Sequence, residues 1–313
     1  MDLKVGPPGP DAFAPFEKVS CDFVKHARGN GMTPKFWCAV TPEDVIKVRY
    51  RERNGKVFAQ VAATRLMWAL GFGADHAYPV SVACRGCPFD PWESPEKPDD
   101  ATVVLFDPAT IDRKMGGKTL ETKPNEGWEW KELDLVDEKA GGAPLAQRDA
   151  LKLMAVFLQH TDSKASNQEL MCLDKQLGEK HAAADTCAHP FMMVPDLGTT
   201  FGHANAFNRD APGSVNFKNW SEASIWRDKE KEKGSNCIGN LPGSITSTLD
   251  NPVISEAGRT FLADLLVQLS DAQLHDLFDV ARFTRRDPGA STDDWVHAFK
   301  QKRDEIVNRT CSS

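Results

Sequence analysis

A chain of 313 residues can bury a sizeable core, as one large domain or as two lobes. Its 41% hydrophobic and 27% charged content is ordinary for a globular protein, and a net charge of −7 argues against the basic stripe of a general nucleic-acid binder. No stretch reaches the apolar length of a membrane span; residues 261–269 come nearest and contain Asp264. The amino terminus, with Pro7, Pro8 and Pro10, lacks the apolar core of a signal peptide, so either the protein stays inside the cell or the chain is a mature or trimmed one. Eight cysteines lean towards an oxidising compartment, periplasmic or secreted, with their pairing left open.

Residues 1–16 read as a loose, proline-rich lead-in. Extended segments follow at 19–27, 35–40 and 45–50, joined by Gly29-Asn30-Gly31 and then by Thr41-Pro42-Glu43-Asp44. Residues 56–70 have helical character, with Asn54 as the start and Gly71 as the stop. Residues 78–84 and 102–106 read as strands, and 87–100, with four prolines, as loop. The stretch 107–144, carrying Trp128 and Trp130, is where the chain is expected to cross between two lobes, spanning 1–134 and 135–313. A helix over 146–159 follows, with Leu151, Met154, Ala155 and Leu158 on one face. The charge run 227–233 has mixed sign and reads as a solvated loop. Ser255 caps the next helix, Ser270 with Gln273 forms a capping box for another, and a last helix covers 292–308. Strands with one helix first, then mostly helices, predict an α+β architecture.

The chemistry concentrates in His160-Thr161-Asp162-Ser163-Lys164-Ala165-Ser166-Asn167, directly after a helix, and in Asp196-Leu197-Gly198 downstream. Asp and Asn are favoured turn residues in any loop. Here they also supply what phosphoryl transfer from ATP needs: a group to orient the acceptor, a cation for the moving phosphate, and oxygen ligands for a metal ion. Lys47 and Arg49 alternate with aliphatic residues on the third extended segment and so share one face of it.

Read as H-x-D-x-K-x-x-N followed by D-x-G, these residues resemble the protein-kinase-like superfamily. The resemblance implies a two-lobed fold, a small β-rich lobe with one helix followed by a larger helical lobe. It implies Asp162 as the base or orienting group, Lys164 on the transferred phosphate, and Asn167 with Asp196 holding Mg2+ or Mn2+. It assigns Lys47 to the α- and β-phosphates of ATP and gives Gly29 and Gly31 backbone contacts to phosphate. The partners implied are a nucleotide and an acceptor that the sequence does not identify; adenylyl transfer stays open beside phosphoryl transfer.

Several departures move the chain towards atypical branches, such as secretory-pathway, HipA-like or lipid-kinase types. Leu197 replaces the usual phenylalanine, Thr161 stands where many protein kinases have arginine, and the interval from Asn167 to Asp196 is long. Gln60 occupies the place of the helix glutamate that pairs with the lysine, which motivates a second reading as a nucleotide-binding pseudokinase. Glu52 is a substitute carboxylate, though it precedes the helix. A third reading, a cysteine-stabilised or zinc-binding interaction protein, starts from Cys84-Arg85-Gly86-Cys87. Cys84 with Cys87 and Cys172 with Cys187 read as disulfides or as thiols.

Overall fold

A computed structural model describes residues 1–25, 33–94, 96, 101–121, 123, 126–173, 187–202, 214–227, 237–244 and 247–312. The fold is α+β, with a β-rich amino-terminal part and a helical carboxy-terminal part. Five strands come first in space: β1 (Lys18–Val24), β2 (Lys35–Thr41), β3 (Asp44–Tyr50), β4 (His76–Arg85) and β5 (Val103–Arg113). They close a barrel in the order β1-β2-β3-β5-β4, antiparallel throughout except where β1 runs parallel to β4 and shuts the ring. Period-two alternation builds its interior: Val19, Cys21, Ile46, Val48, Val80 and Val82 point inward into a core of their own. The expected strand at 102–106 runs on to Arg113. A register shift between Val80 and Val82 lets the ladder with β4 resume at Ala109, beyond Asp107-Pro108.

Helix α1 (Lys56–Ala69) interrupts the strand order between β3 and β4. Val57 to Met67 are buried on every face, so α1 lies between the barrel and the helical core rather than on a surface. Its start is fixed from both sides. The Asn54 carboxamide donates to the carbonyls of Pro34 and Tyr50 and accepts the Lys56 N–H at 3.2 Å. At Gly55, an added Cβ would meet the Ser214 carbonyl oxygen at 2.6 Å.

After β6 (Lys118–Thr119), two short 3-10 turns over Trp130–Leu135 and Glu138–Ala140 lead to α2 (Leu145–Leu158). Beyond α2, β7 (Glu169–Cys172) and β8 (Pro190–Met193) complete a small sheet with β6 that the sequence pattern did not suggest. Residues 174–186, like Gly29, Gly31 and most of the charge run at 227–233, fall outside the described residues. The remainder is α3 (Phe217–Glu222), the pair β9 (Cys237–Ile238) and β10 (Val253–Ile254), and helices α4 (Glu256–Leu266), α5 (Asp271–Val280), α6 (Phe283–Arg286) and α7 (Thr292–Val307). The caps at Ser255 and Ser270 form as their sequences require, the latter as a full capping box with Gln273.

Residues 1–16 are not a loose lead-in. Leu3 is fully buried in the main core, and the buried Arg65 guanidinium donates to the carbonyls of Leu3 and Lys4 at 2.7 Å. The Tyr78 hydroxyl donates to the Pro7 carbonyl at 2.9 Å. A buried guanidinium needs acceptors, and the amino-terminal backbone supplies two, both to Nη1.

Candidate active site

β3 turns Ile46 and Val48 into the barrel and Lys47 and Arg49 out of it, as its alternation requires. Both cations meet the same carboxylate oxygen. Lys47 Nζ and Arg49 Nε each lie 2.9 Å from Asp112 Oδ2. Asp112 stands directly across from Lys47 in the β3–β5 register. The carboxylate that neutralises this lysine therefore comes from the adjacent strand and not from α1. Arg49 also reaches Asp196, Nη2 to Oδ1 at 3.8 Å. Lys35 faces Arg49 across the β2–β3 ladder. Burial lowers its ammonium pKa to about 8, and the charges of Arg49, Lys56 and Lys47 add to the effect.

The loop after α2 leaves the helix through Gln159 in the left-handed conformation, φ 53°. His160 is fully buried with its ring edge-on to Trp130, and among the described residues neither ring nitrogen has a hydrogen-bond partner. Burial lowers its pKa to about 4, so it is a neutral packing group that braces the loop. Asp162 is 20% exposed at its side chain. Lys164 Nζ lies 4.0 Å from Asp162 Oδ1, and the Asn167 carboxamide donates to the Asp162 carbonyl at 2.8 Å. Asp162, Lys164 and Asn167 thus gather in one short turn.

The backbone of that turn is held from below. The Ser163 carbonyl accepts from Trp130 Nε1 at 3.2 Å, from Gln168 Nε2 at 2.9 Å and from the Thr248 hydroxyl at 3.1 Å. Trp128 Nε1 meets the carbonyls of Glu169 and Met193, both at 3.2 Å, binding the exit of the loop to β8. These two tryptophans lie in the stretch whose sequence pattern carried no element signal.

Asp196 completes the cluster and is 26% exposed at its side chain. Lys56, in the first turn of α1, places Nζ 3.3 and 3.2 Å from its two oxygens and 3.6 Å from Asp162 Oδ2. Asp162 and Asp196, 34 residues apart in sequence, therefore face each other across one ammonium group. Burial pushes the Asp196 carboxyl up, but Lys56, Arg49 and Lys47 together outweigh it and hold the group well below the usual carboxylate range. Gly198 is where the stem of Lys56 passes, since an added Cβ would meet its Cγ at 2.7 Å.

Gln60 does not approach Lys47 as a substitute for the helix glutamate. Its Nε2 donates to the Pro195 carbonyl at 2.7 Å and so ties α1 to the residue before Asp196. Glu52 is turned to Arg285 at 3.0 Å. Sequence reasoning missed Lys56, Arg49, Lys35 and Asp112 as members of the cluster. Arg49 had a usable signal, its place two residues from Lys47 on the same strand face. Lys56 had none, because only the packing of α1 brings it to Asp196.

All eight cysteines are paired, as Cys21–Cys38, Cys84–Cys87, Cys172–Cys187 and Cys237–Cys311. The sulfurs of Cys21, Cys38 and Cys84 lie within 4.8 Å of one another inside the barrel. A zinc site there needs thiolates, and each of these sulfurs is held in a disulfide.

No protein-family model matches the chain, and no curated protein matches it by sequence. Among solved structures, a Helicobacter pylori proinflammatory kinase, CtkA, is similar with a TM-score of 0.46 and 9% identity, covering 95% of this chain and 96% of that one. A Golgi casein kinase with Mn/ADP bound is similar with a TM-score of 0.40 and 10% identity, covering 93% of this chain and 73% of that one.

Proposed function

We propose that this chain is a metal-dependent phosphotransferase that moves the γ-phosphate of ATP to a hydroxyl acceptor. The observation that carries the reading is the meeting of Asp162 and Asp196 within 3.6 Å of one ammonium group, beside Lys47, Arg49 and Lys35. Two carboxylates ringed by cations are a site for a polyanion together with its counter-ion.

The donor set fits Mg2+ or Mn2+. Asp196 is held ionised, Asn167 brings a carboxamide to the turn of Asp162, and both are the hard oxygen ligands such ions take. When bound, the ion would neutralise charge on the β- and γ-phosphates. Lys47, steadied by Asp112, and Arg49 would bind the phosphates on the barrel side. Asp162 would accept the proton of the acceptor hydroxyl as its oxygen attacks the γ-phosphorus and ADP leaves. Lys164, half-exposed at the rim, would meet charge on the transferred group. On the same reading residues 1–134 form the nucleotide lobe and 135–313 the catalytic lobe, with the crossing inside 107–144.

The pseudokinase reading rested on Gln60 leaving Lys47 without a carboxylate, and Asp112 supplies one at 2.9 Å. Enzyme is therefore the better-supported reading. Four disulfides are compatible with an oxidising extracellular or secreted setting. Among the described residues no helix is long and apolar enough to cross a membrane.

Calorimetric titration of ATP with Mg2+ or Mn2+ tests the reading. Wild type is expected to bind in a metal-dependent way, and Asp196→Asn to lose roughly 100-fold or more in affinity, the upper end of what even outer-shell changes cost. Label transferred from γ- but not α-labelled ATP identifies phosphoryl transfer. Absence of nucleotide binding by wild type would overturn the assignment.

A further inference from the structure

The position of Lys56 is unusual for a cation. It sits in the first turn of α1, where the helix dipole disfavours positive charge. Its side chain is 12% exposed and folds back to within 3.2–3.3 Å of both Asp196 oxygens and 3.6 Å of Asp162. The other cations nearby have different commitments. Lys47 is bonded to Asp112, Arg49 holds Asp112 at 2.9 Å and Asp196 only at 3.8 Å, and Lys164 is half-exposed at 4.0 Å from Asp162. Lys56 is thus the ammonium placed between the two carboxylates that the reading above gives to metal and acceptor. The backbone at the base of this side chain is pinned by Asn54 and Gly55, while its stem runs over Gly198, which has no side chain to block it. Lysine carries its ammonium on a flexible four-carbon stem, which lets it change partners by rotation about side-chain bonds.

We propose that Lys56 is a built-in counter-cation that holds the metal's place in the resting protein and transfers to the nucleotide phosphates when metal and nucleotide enter together. The inference rests on the phosphotransferase reading and adds an order to it. Metal arriving alone has to displace a bonded ammonium from Asp196. Metal arriving with a triphosphate does not, because the phosphates give the ammonium a new partner. Metal and nucleotide then bind cooperatively, and Lys56 is the source of the coupling.

Mn2+ binding, followed by the electron paramagnetic resonance signal of the free ion, tests this with and without a non-hydrolysable ATP analogue. Lys56→Met is expected to bind Mn2+ alone about 10-fold more tightly than wild type and to lose most of the analogue's enhancement, a range ordinary for coupled sites. Gly198→Ala, whose added methyl displaces the lysine stem while keeping its charge, is expected to tighten Mn2+ binding in the same direction and guards against a folding defect in the first variant. If neither folded variant binds Mn2+ more tightly than wild type, the counter-cation role is overturned. If a variant gains Mn2+ affinity but neither it nor wild type binds the analogue, the counter-cation role stands and the nucleotide reading falls.

Discussion

Asp75, just before β4, and Asp112 on β5 are buried carboxyls whose charges oppose each other, and the cations divide them. Lys47 and Arg49 hold Asp112 below the usual carboxylate range against its burial. Asp75 accepts the Met115 N–H at 3.2 Å, but burial with the repulsion of Asp112 outweighs that bond and the Lys47 charge and raises it to about 7. Between its unfolded value near 4 and its folded value near 7, the folded chain binds more protons at Asp75 than the unfolded chain does. The stability contributed is therefore present in full below pH 4 and is lost as pH rises towards 7, on the order of 4 kcal/mol. Asp75→Asn mimics the protonated form and removes this dependence. Chemical denaturation across pH 4–8 should show the variant gaining on wild type as pH rises, and an unchanged difference would refute the assignment. Asp112 also shows why Gln60 was a misleading residue to judge the site by: the ion pair exists but runs between strands.

At the scale of elements, the loop bearing Asp162 depends on a strap that carries no catalytic group. Gly127 enters the strap at φ 60°, and a Cβ there would meet the Ala165 carbonyl oxygen at 1.9 Å and that of Gln168 at 2.6 Å. The backbone approaches so closely that only glycine fits, and the next residues deliver Trp128 and Trp130 to the loop's carbonyls. Gly127→Ala is expected to cost about 3 kcal/mol or more, since it strains φ and pushes the 165–167 turn, and, on the proposed phosphotransferase reading, to depress phosphate transfer with it. Thermal melts alongside turnover check this; a variant with wild-type melting and turnover would show that the strap does not position the loop. α1 plays the complementary part, presenting Lys56 to Asp196 and Gln60 to Pro195 from one helix start.

Over the whole molecule, two hydrophobic cores are joined through α1; two disulfides lie in the barrel core and one in the main core, while Cys172–Cys187 starts from β7 outside both. Cys21–Cys38 and Cys84–Cys87 cross-link the barrel, with Cys38 and Cys84 sulfurs in contact at 3.4 Å. Cys237–Cys311 ties β9 to the carboxy-terminal segment over a separation of 74 residues. Closing so long a loop removes the most freedom from the unfolded chain, about 4 kcal/mol in the chain-entropy view. Replacing both Cys237 and Cys311 by alanine should lower stability by about that amount, read from denaturant midpoints under oxidising conditions. A loss under about 1 kcal/mol would mean that the carboxy terminus is held by packing alone.

The sequence by itself determined the order of the barrel strands, α1, α2 and the carboxy-terminal helices α4, α5 and α7, the caps at Ser255 and Ser270, the facing of β3, and the short turn that carries Asp162, Lys164 and Asn167. All of these are local: they depend on periodicity, on hydrogen bonds spanning three or four residues, or on spacing within one loop. Tertiary structure decided the rest. It decided that Asp112 and not the helix partners Lys47, that Lys56 stands between Asp162 and Asp196, and that the tryptophans of a stretch with no readable element hold the turn that carries Asp162. It also selected one cysteine pairing among many and drew Leu3 and Lys4 onto Arg65. Each of these is a contact between residues distant in the chain, fixed by which surfaces pack together, and no local pattern encodes such a contact.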